Sequence, residues 1–106
     1  MIEHLQVVTT VGSTEEAETI SKALVERRLA ACVQVLGPIS SRYRWQGEIE
    51  TASEWLCLAK TEVSRYPQLE STIRELHSYD EPEIVATPIV AGSTGYLQWL
   101  GESLRP

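Results

Sequence analysis

Residues 39–45, ISSRYRW, alternate strictly, with Ile39, Ser41, Tyr43 and Trp45 on one side and Ser40, Arg42 and Arg44 on the other. Successive side chains of a strand point to opposite faces, so this period of two reads as a strand. Gln46-Gly47 follows, a two-residue step of the kind that closes a β-hairpin, and EIETASEWLCLAKT (48–61) runs back as the partner. A chain that carries this hairpin must build an antiparallel sheet. The hairpin is long, and its tip is expected to project past the core. LAACVQVL (29–36) precedes it as a strand, and Gly37-Pro38 marks a bulge or kink, because proline cannot donate to a ladder. Starting from Trp45 opposite Glu48, the register sets Cys57 opposite Leu36 and Cys32 opposite Thr61. The two thiols are then offset by four residues, roughly 13 Å at ~3.3 Å per residue. A bulge shifts this by one or two positions, so the cysteines share neither a disulfide nor an ion. They read as small apolar residues, with Cys32 the weaker metal candidate.

The flanking segments complete an alternation. HLQVVTT (4–10) has apolar residues on both faces, as a central strand does. Ser13 is the N-cap of a helix, and Glu16 three residues on completes a capping box. Ala17, Ile20 and Leu24 form its buried stripe, and Arg27 and Arg28 suit its C-terminal end. Ser64 is expected to cap a second helix with Pro67 in its first turn, where a missing N–H is harmless. Tyr66, Leu69, Ile73 and Leu76 follow helical spacing. EIVATPIVA (83–91) reads as a strand whose Pro88 points to a sheet edge, and Ser93 caps a last helix. The order is β-α-β-β-α-β plus a terminal helix: an α+β, ferredoxin-like antiparallel sheet with an extended hairpin between its second and third strands. One domain, residues 1–106, is expected.

Charge limits the partners. Nine Lys and Arg against fifteen Asp and Glu give a formal net charge of −6. Nucleic acid and anionic membranes would repel such a chain, and no apolar run approaches the ~20 residues of a membrane helix. No secretory signal is visible, and two cysteines without one suggest free thiols in the cytoplasm. Phosphate loops, nucleophile elbows and His-Glu-x-x-His helices are absent, and no enzyme is expected.

The densest chemistry lies in HSYDEPEIVATPI (77–89). His77 ends the second helix, because Pro82 keeps Glu81 out of helical conformation. Imidazole suits copper, zinc and nickel, and Asp80, Glu81 and Glu83 supply oxygen nearby. His77 is therefore the leading metal candidate and the three carboxylates the weaker ones. Tyr43, Trp45, Tyr79 and Trp99 suit either a ligand cleft or a subunit interface. Lys60 is placed to meet an anion there. His4 reads as structural.

LVERRLAACVQV, YRWQGEIE, HSYDEPEIVATPI and TGYLQWL, in that order, resemble the CutA family of divalent-cation tolerance proteins over essentially the whole chain. The resemblance implies a ferredoxin-like subunit in a homotrimer, with neighbouring sheets extending one another and the long hairpin crossing the interface. It implies a connection to tolerance of copper and other divalent cations, with Cu(II) or a similar ion as the only cofactor and no organic one. His77 matches the family's histidine and Cys32 the cysteine of AAC. Thr9 and Thr10 stand where some copper-binding relatives carry a cysteine. In fold and trimer the chain also resembles PII signalling proteins, so a sensor of a small anionic ligand in an intersubunit cleft is a rival reading. A ligand-free trimeric scaffold is another. A small hydrolase or isomerase using His77 with Glu83 or Asp80 is the third.

Overall fold

The computed structural model describes residues 1–106. Strand β1 (His4–Val11) leads to helix α1 (Thr14–Glu26), then β2 (Cys32–Trp45) and β3 (Glu48–Glu62). A 3-10 turn (Val63–Arg65) opens α2 (Tyr66–Leu76), and β4 (Val85–Pro88) and α3 (Thr94–Ser103) follow. The sheet order is β2-β3-β1-β4, with every pairing antiparallel. This is the ferredoxin-like arrangement, and β1 is central as its two apolar faces require.

The β1–β3 register sets Val7 opposite Ala59, Thr9 opposite Cys57 and Val11 opposite Trp55, so these share the face that α1 and α2 cover. Ala17, Ile20 and Leu24 of α1 and Leu69 and Ile73 of α2 complete that core. Helix α3 meets the opposite face instead, where Tyr96 reaches Cys32 and Gly101 approaches Glu62. Gln46 and Gly47 have φ of 48° and 81°, the pair of positive angles that a type I′ hairpin turn demands. Beyond the core the hairpin runs on, and the molecule is 44 Å long against 25 and 22 Å.

Several details differ from the sequence expectation. Strand β2 runs unbroken through a cis Gly37-Pro38 bond, and the bulge between Leu36 and Ile39 shifts the register by one. Cys32 therefore lies opposite Lys60, not Thr61, and Cys57 opposite Val35, not Leu36. The offset falls to three residues, roughly 10 Å, and the thiols remain unpaired. Ser64 falls inside the 3-10 turn, so Arg65 occupies the N-cap of α2 without a side-chain bond. Strand β4 covers only Val85–Pro88 of the expected nine residues, although the Ile89 N–H still donates to the His4 carbonyl at 2.9 Å just beyond it. Ser13 caps α1 by accepting from the Glu16 N–H at 3.1 Å, but the Glu16 carboxylate does not close the box. It reaches the chain after α2.

Candidate functional site

His77 leaves the helix with φ −79° and ψ 141°, which turns its ring under the end of β1. The Tyr79 N–H donates to Nδ1 at 3.1 Å, so Nδ1 is the acceptor nitrogen and Nε2–H donates to the Thr10 carbonyl at 2.8 Å. The side chain is fully buried. Glu16 holds the same turn, accepting from the Ser78 N–H at 2.7 Å and its hydroxyl at 3.0 Å. Both ring nitrogens are thus committed to the protein, and His77 holds the loop to the sheet. It is not gathered with Asp80, Glu81 and Glu83: no three His, Cys, Asp or Glu side chains converge on a common ion position.

The fixed loop carries Tyr79 back over Gly12 and onto β3, where its hydroxyl donates to Glu54 Oε2 at 2.8 Å. A side chain at position 12 would press on that hydroxyl. Glu54 pairs with Ile39, and Ala52, Glu50 and Glu48 pair with Ser41, Tyr43 and Trp45, so all of them share one face. The result is a cleft of ≈ 390 Å³ between the hairpin and the loop. Thr10, Glu54 and the rings of Tyr43, Trp45 and Tyr79 form it, and Asp80, Glu81 and Glu83 rim it. No Lys, Arg or His lines it. Burial and the bond to Glu54 push the Tyr79 hydroxyl up to about 12.

The other sequence candidates lie elsewhere within the chain. Lys60 donates to Gln34 Oε1 at 2.8 Å on the sheet face that α3 meets. Trp99 packs on Tyr96, with ring centroids 5.4 Å apart, and the Tyr96 hydroxyl sits 3.6 Å from Cys32 Sγ. Cys57 is 2% exposed, and burial, with Glu16 adding, pushes its thiol up to about 11. Such a thiol is a packing residue. Sequence reasoning missed Glu54, Glu16 and Thr10. The hairpin register held a signal for Glu54, a carboxylate on the face of Ile39 and Tyr43.

Comparison with known proteins identifies the family. The family model described as CutA1 divalent ion tolerance protein matches residues 5–103. The chain belongs to the CutA1 family. A curated relative, the divalent-cation tolerance protein CutA of Thermus thermophilus, is 50% identical over 97 residues, covering 92% of this chain and 94% of its own. The solved Thermus thermophilus structure superposes with TM-score 0.92 at 49% identity, covering 94% and 97% of the two chains. A structure described as the periplasmic divalent cation tolerance protein CutA of Archaeoglobus fulgidus gives 0.93 at 38% identity, covering 96% and 99%. These CutA relatives are named for tolerance and not for a reaction. No helix of the chain is long and apolar enough to cross a membrane.

Proposed function

We propose that the chain works in divalent-cation tolerance as a homotrimer that holds hydrated divalent cations weakly at the acidic rim of the cleft. The observation that carries this reading is a cleft with four carboxylates, Glu54, Asp80, Glu81 and Glu83, and no basic side chain. A dehydrated, nitrogen- or sulfur-ligated metal does not fit, because His77 is sealed and the two cysteines lie apart. Oxygen donors on the rim suit a cation that keeps most of its water. Copper(II) leads zinc in the general affinity order, and we carry that preference over. The lining opposes an anionic ligand within one chain, and Lys60 is not there to meet it.

Support for the trimer comes from what one chain leaves uncovered. Trp45 is 54% exposed, and Tyr43, Leu36, Ile49 and Trp99 are also exposed. Strands β2 and β4 are both free edges. Exposed edges and apolar groups of this extent call for a cover. Light scattering tests the assembly, with three times the 11.9 kDa chain mass expected. Copper and manganese titrations test the rim: Asp80→Asn/Glu81→Gln/Glu83→Gln is expected to abolish binding, and retained binding removes the reading. We place the protein in the cytoplasm, which its two free cysteines support, and cell fractionation checks it.

A further inference from the structure

The cleft contains a charge that the chain does not compensate. Glu54 is only 5% exposed, and no Lys, Arg or His side chain pairs with it. Oε2 accepts from the neutral Tyr79 hydroxyl. Oε1 receives no donor, yet it is not among the sealed polar atoms, and it opens onto the cleft. A carboxylate this deep without a positive partner is costly, so its position points to a cation supplied from outside the chain.

The walls say which class of cation. Tyr43, Trp45 and Tyr79 present three aromatic rings to the same space. Ring faces attract cations, tryptophan most strongly, but offer no lone pair to a metal. No three metal-ligating side chains converge here. The cleft of ≈ 390 Å³ holds several times the ~30 Å³ of a single water, which suits a molecule and not a bare ion.

We propose that the inner cleft binds an organic ammonium ion. One ammonium group sits against Glu54 among the rings of Tyr43, Trp45 and Tyr79. In a linear di- or triamine, a second sits against Asp80, Glu81 and Glu83 at the rim. The inference rests on the reading of this cleft as a cation site and changes the class of cation from a hydrated metal to an amine. No bond is made or broken: the ammonium displaces water and returns unchanged.

Spermidine is the probe, titrated into the assembled wild-type protein at fixed ionic strength and followed by tryptophan fluorescence and calorimetry. Saturable binding is expected, with 1,8-octanediol, neutral and of similar length, giving none. Glu54→Gln keeps an acceptor for Tyr79 and removes the charge, and at least ~10-fold weaker binding is expected. Tyr43→Leu, confirmed by sedimentation to be assembled as the wild type is, keeps the charge and removes a ring, and several-fold weaker binding is expected. It carries the test if Glu54→Gln does not fold. No saturable binding by the wild type overturns the proposal, as it must if a basic side chain of a neighbouring subunit fills the cleft. Equal affinity across wild type and both variants overturns it too. Manganese titration of the same samples reads the rim separately. Spermidine binding at Glu54 without manganese binding removes the metal reading and supports this one, and manganese binding without spermidine binding overturns this one alone.

Discussion

The Tyr79 hydroxyl and the Glu54 carboxylate, 25 positions apart in the chain, meet at 2.8 Å and close the inner end of the cleft. This is the only donor that the chain gives to a nearly buried carboxylate. Tyr79→Phe removes the O–H and leaves the ring, so its cost isolates that bond. The expected loss is ~1–3 kcal/mol, the penalty of orphaning a buried acceptor. Urea unfolding at neutral pH measures it, and Glu54→Gln is expected to cost less because the amide oxygen still accepts. Wild-type stability in Tyr79→Phe would show that solvent replaces the bond freely.

Stability is predicted to be limited on the alkaline side by the same neighbourhood. Burial, then Glu54, pushes Tyr79 from near 10 up to about 12, and burial, then Glu16, pushes Cys57 from near 9 up to about 11. Both pKa values are raised, so the fold favours the protonated forms. Their contribution is complete below about pH 9 and is lost as pH climbs through 11 and 12. The thermal midpoint should hold to about pH 9 and then fall. Cys57→Ala and Tyr79→Phe should each make the fall shallower, and a fall equally steep in both variants would assign the limit to other groups.

The sheet was legible because its signals are local. Alternation around Gln46-Gly47, the Ser13 cap and the 17, 20, 24 stripe each need a few neighbouring residues, and all three hold. The site was legible only in part. Tyr43, Trp45, Tyr79 and the three rim carboxylates do line one cleft, but His77 faces inward and Glu54 takes the deepest position. Those roles depend on contacts such as Glu16 with Ser78 and His77 with Thr10, 62 and 67 residues apart, which no local spacing encodes. Glu16 shows the competition plainly. Its spacing from Ser13 fits a capping box, yet its carboxylate finds two donors on Ser78 instead.

Gly37 tests the bulge. A Cβ there would fall on the Trp55 ring, well inside contact distance of Cδ1, Cγ and Nε1. The indole is half-buried and packs against the core. Gly37→Ala is predicted to cost ~1–3 kcal/mol, the range for overpacking. Pairing it with Trp55→Leu should recover part of the loss, which a double-mutant cycle in urea reads directly.

The hairpin separates assembly from folding. Trp45 and Arg42 lie on opposite faces of β2, both outside the core. In the proposed homotrimer Trp45 packs against a neighbour, and truncating such an aromatic typically costs ~2–4 kcal/mol. Trp45→Ala should therefore weaken the assembly in sedimentation runs at micromolar concentration, and Arg42→Ala should leave it nearly intact. Equal, small effects from both would mean that the tip is solvated.

Metal titration distinguishes the rim from His77. Nδ1 accepts from the Tyr79 N–H and Nε2–H donates to Thr10, so a metal at either nitrogen must first break one of these bonds in a buried place. That cost opposes ligation. Asp80, Glu81 and Glu83 are exposed, and only Glu81 has a cation near it, Arg74 at 3.5 Å on the surface, worth little in water. His77→Gln is predicted to destabilise the fold by ~1–3 kcal/mol through the lost loop bonds. In the folded fraction, copper affinity should stay within about threefold of wild type, far short of the loss that removing a ligand brings. The triple rim variant should reverse this pattern, losing copper binding and keeping stability. Copper affinity that collapses in His77→Gln while the rim variant binds normally would put the metal on the imidazole and require the loop to open.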